Sequence, residues 1–195
     1  FGVGAAIYLV EYAKKGNKLV GIIRVTAETL SGIPSIIYGL FGMLFFVTAL
    51  KWGYSMMAGA ATLAIMVLPV IMRTTEEALL CVPDSFREGS FGLGAGKLRT
   101  IFKIVLPSAI PGILSGIILA IGRIVGETAA LIYTSGTVAN LAGFFDSGRT
   151  LAIHMYSLSR EGMHTNEAYA TAVVLLIVVL IINGVSSIKE KKFEA

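Results

Sequence analysis

The 195-residue sequence contains little charge. Lys, Arg, Asp and Glu make up 14% of its residues, whereas a soluble domain carries about a quarter. Hydrophobic residues account for 55%, and the mean hydropathy is +0.81. Because one soluble core could not bury this much apolar surface, the composition argues against a soluble domain, and it excludes a disordered chain. The sequence therefore predicts an integral membrane protein.

Other absences exclude further classes. The single cysteine, Cys81, cannot form an internal disulfide, and no CxxC pair or His/Cys cluster has zinc-site spacing. No GxxxxGK[ST] loop occurs, so we do not expect this chain to hydrolyse ATP. The net charge of +4 favours positive cytoplasmic loops over nucleic-acid binding in a chain this apolar. No basic segment precedes the apolar start at Phe1, so no signal peptide is predicted.

Four uncharged segments are long enough to cross about 30 Å of hydrocarbon. They are residues 30–50, 52–72, 104–122 and 168–188. We expect the third to continue to about residue 133. Residues 1–10 are too short to span and are interpreted as the end of a truncated helix. Residues 18–31 mix apolar and charged side chains, which predicts an interfacial helix or a cytoplasmic extension of the next span. The fold class expected is an all-α, polytopic transmembrane helical bundle.

The distribution of cations predicts the orientation. With these spans, 12 of the 16 Lys and Arg residues lie on one side, which the positive-inside rule makes cytoplasmic together with the C-terminus. These cations are Lys14, Lys15, Lys18, Arg24, Arg73, Arg87, Lys97, Arg99, Lys103, Lys189, Lys191 and Lys192. Counting residues 128–145 as another span would move the last cluster outside. Residues 134–167 are therefore predicted to form an outer loop, with a short helix near residues 151–159.

The third span carries two charges on one face. On a straight helix over residues 108–130, Arg123 and Glu127 share a face with small residues. The helix-packing glycines expected there are Gly112, Gly116, Gly122 and Gly126, whose small-xxx-small spacing allows close approach of another helix. Arg123 has the planar fork that binds an oxyanion, and Glu127 could hold Arg123 when no substrate is present. The alternative is a buried ion pair that only fixes helix packing.

Residues 73–103 form the longest charged stretch. Pro83 favours the start of a short helix, and Gly94 favours its end. Phe86, Phe91 and Leu93 add apolar contacts. From the residues alone, this stretch is either a solvated connector or a docking element for a cytosolic partner.

The same stretch resembles the EAA loop of ABC importer permeases. The family pattern is Glu-Ala-Ala, three residues, Gly, nine residues, Ile-x-Leu-Pro. The matching residues here are Glu88, Gly89, Ser90, Gly94, Ile104, Leu106 and Pro107, with the spacing kept throughout. Gly89 and Ser90 depart from the family's alanines. Because glycine in a helix costs about 1 kcal/mol relative to alanine, Gly89 suggests a looser coupling helix. In the family this loop docks into a cytosolic ATPase and transmits its closure to the membrane helices, so the resemblance implies a cytoplasmic coupling loop over residues 73–107.

Three further stretches narrow the family. Arg123-Ile-Val-Gly-Glu127-Thr128-Ala looks like the Arg-x-x-Gly-Glu-Thr-Ala segment of phosphate-specific importer permeases. Residues 32–39 resemble the start of their third helix, and residues 6–13 look like the end of the second helix in the A-type subunit rather than the C-type. The resemblance covers nearly the whole chain. It implies a single permease domain over residues 1–195 that lacks a first helix and most of a second, with Arg123, Glu127 and Thr128 in the substrate pathway or its gate.

The resemblance also implies a bacterial plasma-membrane location and a set of partners. These are a paralogous permease, two copies of an ATPase subunit, an extracytoplasmic phosphate-binding protein and a phosphate-uptake regulator. ATP and Mg²⁺ would bind on the ATPase, and this chain would bind no cofactor and no metal. Three alternatives stay open, namely a permease for another oxyanion or solute, an ATP-independent secondary transporter or channel, and a non-transporting membrane module of phosphate signalling.

Overall fold

A computed structural model describes residues 1–14, 16–162 and 164–194, with side chains for all of these except residues 161 and 187–194. Every regular element in this described part is a helix, so the predicted all-α fold is confirmed. The helices are α1 (Gly2–Tyr12), α2 (Lys18–Ser31), α3 (Ser35–Ala49), α4 (Met56–Leu80), α5 (Asp84–Gly92), α6 (Lys97–Val125), α7 (Ala129–Ile132), α8 (Leu151–Glu161) and α9 (Thr165–Glu194). Lys15 and the side chains of the cationic tail from residue 189 lie outside the described residues.

Three of these helices are long and apolar enough to cross a membrane. They are α4, α6 and the part of α9 from Thr165 to Ser186, and the broken pair α2–α3 adds a fourth only if it crosses as one span. The prediction of one helix over residues 30–50 was wrong at its start, because α2 ends at Ser31 and α3 begins at Ser35. Pro34 precedes α3 with φ −58° and ψ 139°. Proline disfavours a helical conformation at the residue before it, which accounts for the break.

Other boundaries differ from the sequence prediction. Helix α4 continues to Leu80, past the predicted end at residue 72, and α6 begins at Lys97, inside the predicted loop. The expected continuation of the third span to residue 133 was wrong, since α6 ends at Val125 and only the short α7 follows. The predicted outer helix near residues 151–159 agrees with α8.

The chain forms two compact units, and α4, α6 and α9 contribute residues to both. The first unit contains residues 1–31, residues 68–120 and the C-terminal stretch from Val185. Its core joins buried apolar side chains of α1, α2, α4 and α6. Among them are Ala6, Leu9, Val20, Ala27, Met72, Leu79, Val105, Ala109 and Ile113. These contacts pack α1 and α2 against the helices that flank α5.

The second unit, Gly32–Val67 and Ile121–Gly184, encloses α7. Gly39 of α3 lies so close to α7 that a Cβ there would sit 2.8 Å from the Ala130 Cα. Gly59 of α4 approaches it as well, since a Cβ there would sit 2.9 Å from a Leu131 methyl group. Backbone hydrogen bonds then join the segment after α7 to the start of α4, from Ser55 N to Thr134 O (3.1 Å) and from Met57 N to Phe144 O (2.8 Å). The short helix is therefore held as part of a packed core.

Candidate functional site

Arg123 lies in the last turn of α6 and is half-buried. Its charge is near enough to influence the phenol of Tyr38, a buried residue of α3 in the same unit. The free carbonyl groups at a helix C-terminus favour a cation at this position. Arg123 therefore presents a guanidinium group, which can bind an oxyanion through two parallel hydrogen bonds, where α6 stops.

Glu127 does not share a helix with Arg123. The break after Val125 separates the two residues, and within the described residues no ion pair joins them, so the interpretation of an i, i+4 pair on a straight helix was wrong. Glu127 is 8% exposed, and its Oε1 accepts a hydrogen bond from the Ala130 N–H at 3.1 Å. The carboxylate thus satisfies a backbone donor in the first turn of α7, as a capping side chain does.

The break itself consists of Gly126, Glu127 and Thr128. Thr128 precedes α7, and its hydroxyl donates to the Gly126 carbonyl at 3.4 Å. Non-helical backbone at membrane depth persists where it is buried in protein or lines a cavity, because lipid cannot satisfy its polar groups. The three predicted pathway residues therefore bracket an interruption in a membrane helix, with Arg123 before it and Thr128 at its end.

The four predicted packing glycines fall into two groups. A Cβ at Gly112 would lie 2.8 Å from the Ala78 Cβ, and one at Gly116 would overlap Thr74, so both permit close approach of α6 to α4. Among the described residues, a Cβ at Gly122 would meet no atom within 4 Å, and one at Gly126 would meet only the Gly122 carbonyl at 3.8 Å. In this described part, the close approach thus involves the first pair alone.

The coupling-loop residues form a helix, a turn and the start of α6. Helix α5 carries Glu88, Gly89 and Ser90, and Gly94 has φ +81°, a left-handed conformation that terminates a helix. Ile104 lies in a π-helical stretch, Ile101–Val105, and α6 then continues through Leu106 and Pro107. Phe86, Phe91 and Leu93 are 49%, 47% and 92% exposed. The predicted apolar side chains are therefore available to another protein.

Ser90 has a contact that the family's alanine could not make. Its buried hydroxyl lies 2.8 Å from the hydroxyl of Thr100, which is 1% exposed. This bond joins α5 to the first turn of α6. Gly89, in contrast, has open space around it. The looser helix expected from Gly89 stays a prediction, whereas Ser90 braces the loop.

Sequence reasoning missed the ionic contacts of the first unit. Arg87 pairs with Glu11 at 2.8 Å, although the two residues are 76 positions apart. Arg24 of α2 pairs with the mostly buried Glu76 of α4. The sequence signal for Glu76 was weak, because the span was predicted to end before it. No pattern of spacing links Glu11 to Arg87.

Comparison with known proteins identifies the family. Residues 1–191 match the family of binding-protein-dependent transport system inner membrane components. The probable ABC transporter permease protein YqgI of Bacillus subtilis (strain 168) is 39% identical over 93% of this chain and 67% of its own length. The phosphate transport system permease protein PstA of Yersinia pestis is 38% identical over 93% of this chain and 62% of its own length.

One more relative supports the family assignment, and a solved structure supports the fold. PstA 1 of Mycobacterium tuberculosis (strain ATCC 25618 / H37Rv) is 38% identical over 93% of this chain and 60% of its own length. The chain thus spans about three fifths to two thirds of the length of these relatives. A solved structure of the MetNI methionine ABC transporter, in an inward-facing conformation, matches with a TM-score of 0.79 at 20% identity, over 98% of this chain and 85% of that one. The chain belongs to the family of binding-protein-dependent transport system inner membrane components and has the fold of an ABC importer permease.

Proposed function

We propose that this chain is a permease subunit of an ATP-driven inorganic phosphate importer. The observation that carries the proposal is Arg123, a half-buried cation at the point where a membrane helix is interrupted. A charge at membrane depth is costly and is retained mainly where it serves a pathway or a pair. Relatives at 38% identity are phosphate transport system permeases, which supports phosphate as the anion.

The pathway residues have different tasks in this proposal. Arg123 contacts phosphate, because a guanidinium group offers two parallel donors to a tetrahedral oxyanion. Glu127 accepts the Ala130 N–H and so fixes the break beside Arg123. Thr128 supplies a hydroxyl at the end of the break. The Glu127 carboxylate is directed to the Ala130 N–H and not towards the phosphate anion. Its repulsion of phosphate is therefore weaker than that of a carboxylate that faces the anion, so Glu127 can lie beside the translocation path.

The partners follow from the coupling loop and the family. The exposed apolar side chains of α5 and its turn dock into a cytosolic ATPase, of which two copies bind ATP and Mg²⁺. A paralogous permease completes the translocation path, an extracytoplasmic binding protein delivers phosphate, and a phosphate-uptake regulator joins the complex. This chain catalyses no reaction and binds no cofactor, and its C-terminus is cytoplasmic. Closure of the ATPase dimer moves the loop, and the path alternates between the two sides of the membrane.

The test is uptake of labelled phosphate by proteoliposomes that contain the full-length protein and its four proposed partners. Arg123→Gln removes the charge, and Arg123→Lys keeps the charge but lacks the planar guanidinium group that donates two parallel hydrogen bonds. Arg149→Gln is the matched control, since Arg149 is also half-buried but lies in the outer segment. ATP hydrolysis is measured in the same vesicles.

We expect Arg123→Gln to abolish uptake while the complex assembles and hydrolyses ATP, and Arg149→Gln to transport normally. Normal uptake by Arg123→Gln would remove Arg123 from the path. Preference for arsenate, sulfate or molybdate over phosphate in competition would favour a permease for another oxyanion. Phosphate uptake that persists with an inactive ATPase would instead indicate a secondary transporter.

A further inference from the structure

Arg87 is the most connected side chain of the coupling loop. Its Nη2 donates to Glu11 Oε1 (2.8 Å) and to the Leu79 carbonyl (2.9 Å), and its Nη1 donates to the Val82 carbonyl (2.7 Å). The Nε also donates to Glu11 Oε1, at 3.1 Å, and Nη1 reaches Asp84 at 3.2 Å. One guanidinium group thus joins α5 to the C-terminal end of α1, to a carbonyl in the last turn of α4 and to a carbonyl two residues beyond that helix.

The Arg87–Glu11 pair is largely removed from solvent. The two side chains are 14% and 9% exposed, whereas those of the Arg73–Glu77 pair on α4 are 50% and 62% exposed. A pair in high dielectric contributes little and reorganises freely, but a buried pair with further hydrogen bonds resists separation. Arg87 therefore holds a fixed geometry that the exposed pair cannot hold.

A second contact reaches the same end of α1. The Lys97 Nζ lies 5.0 Å from the centre of the Tyr12 ring, a cation–π distance, and Tyr12 follows Glu11 directly. Lys97 begins α6, so both helices of the loop contact adjacent residues of α1. The Ser90–Thr100 bond fixes those two helices to each other. Three contacts thus close a ring that consists of α1, α5 and the start of α6.

We infer that Arg87 is a positioning residue that makes the coupling loop and α1 move as one rigid body, with Glu11 as its counterpart. The inference rests on the proposed function, since it names the route by which ATPase closure reaches a membrane helix. Force enters at the exposed apolar side chains of α5 and passes through Arg87 to Glu11. Because Ala6 and Leu9 of α1 are packed in the core, the displacement then continues into the membrane part of the first unit.

The first experiment measures this rigidity by spin-label distances in the assembled complex. Labels are placed at Tyr8→Cys and Ser85→Cys, two exposed positions apart from the apolar docking side chains, after the exposed Cys81 is replaced by serine. Distances are recorded without nucleotide and with a non-hydrolysable ATP analogue. Glu11→Gln, which removes the charge but keeps a similar shape, is compared with Glu77→Gln, which alters only the exposed pair.

We expect one narrow distance in the parent protein that is unchanged by nucleotide, and the same result for Glu77→Gln. In Glu11→Gln the distance should broaden or differ between the two nucleotide states. The inference would be overturned if the parent distance already changed with nucleotide, or if Glu11→Gln stayed as narrow as the parent.

The second experiment measures the ATP hydrolysed for each phosphate imported. This ratio does not depend on how much complex assembles, so a merely structural defect would leave it unchanged. Mutations along a coupling network change coupling by about 2- to 30-fold, and we expect a rise in this range for Glu11→Gln. An unchanged ratio would contradict the linkage. If the parent protein imports no phosphate with ATP, the proposed function fails, while the spin-label distances still decide whether Arg87 forms the linkage.

Discussion

Two replacements of Glu127 separate its hydrogen bond from its charge. Glutamine keeps a side-chain oxygen that can accept the Ala130 N–H, whereas alanine removes the acceptor. Ala130 is fully buried, so its N–H in Glu127→Ala would have no water to replace the lost partner. A buried donor without a partner costs about 1–3 kcal/mol. We therefore expect Glu127→Ala to lower the free energy of unfolding by about 1–3 kcal/mol and Glu127→Gln to lower it by less than about 1 kcal/mol.

The assay is thermal unfolding of the assembled complex in lipid nanodiscs, followed by phosphate uptake at a temperature where all variants are folded. Glu77→Ala serves as the control, because that glutamate is exposed on α4. Glu127→Gln should transport phosphate nearly as well as the parent protein, because α7 keeps its place. If Glu127→Gln were as inactive as Glu127→Ala, the charge of Glu127 rather than its hydrogen bond would be essential, and the reasoning would be refuted.

Two further predictions concern packing and the coupling loop. Gly39→Ala should destabilise the protein by about 1–3 kcal/mol, because the new methyl group overlaps the backbone of Ala130. Gly122→Ala, whose methyl group meets no described atom within 4 Å, should not destabilise the protein in the same melting experiment. Ser90→Ala and Thr100→Ala should each lower the free energy of unfolding by about 1 kcal/mol, because each removes the hydrogen bond between the two hydroxyl groups. The double variant should lower it by less than the sum of the two single effects. Additive losses would show that the two hydroxyl groups act independently.

The sequence was sufficient where the signal is local or summed over many residues. Composition predicts the membrane class, and Gly94 marks the end of α5 because a left-handed residue there needs glycine. Helix α8 was predicted within two residues of its observed ends. The break at residues 126–128 was missed because no proline or charge run marks it, and only contacts with α3 and α4 give α7 its own position.

Contacts between residues that are far apart in the chain could not be predicted from the sequence. Gly112 and Gly122 begin identical small-xxx-small patterns, yet only the first faces another helix of this chain. A single sequence specifies which side chains are small but not which of them has a neighbour. The Arg87–Glu11 pair is a further example of a contact that the sequence does not predict. Its two residues are 76 positions apart, and no sequence motif contains both of them.

The distance in sequence between Glu11 and Arg87 has a consequence for biosynthesis of the protein. Ribosomes add about 5–20 residues each second, so Glu11 is made about 4–15 s before Arg87. During this interval the Glu11 carboxylate at the C-terminal end of α1 lacks the guanidinium group with which it later pairs. We expect nascent chains that end before Arg87 to keep α1 loosely inserted and open to proteolysis. The helix would become protected only when α5 has emerged, which makes synthesis of the coupling loop the step that fixes α1 in place.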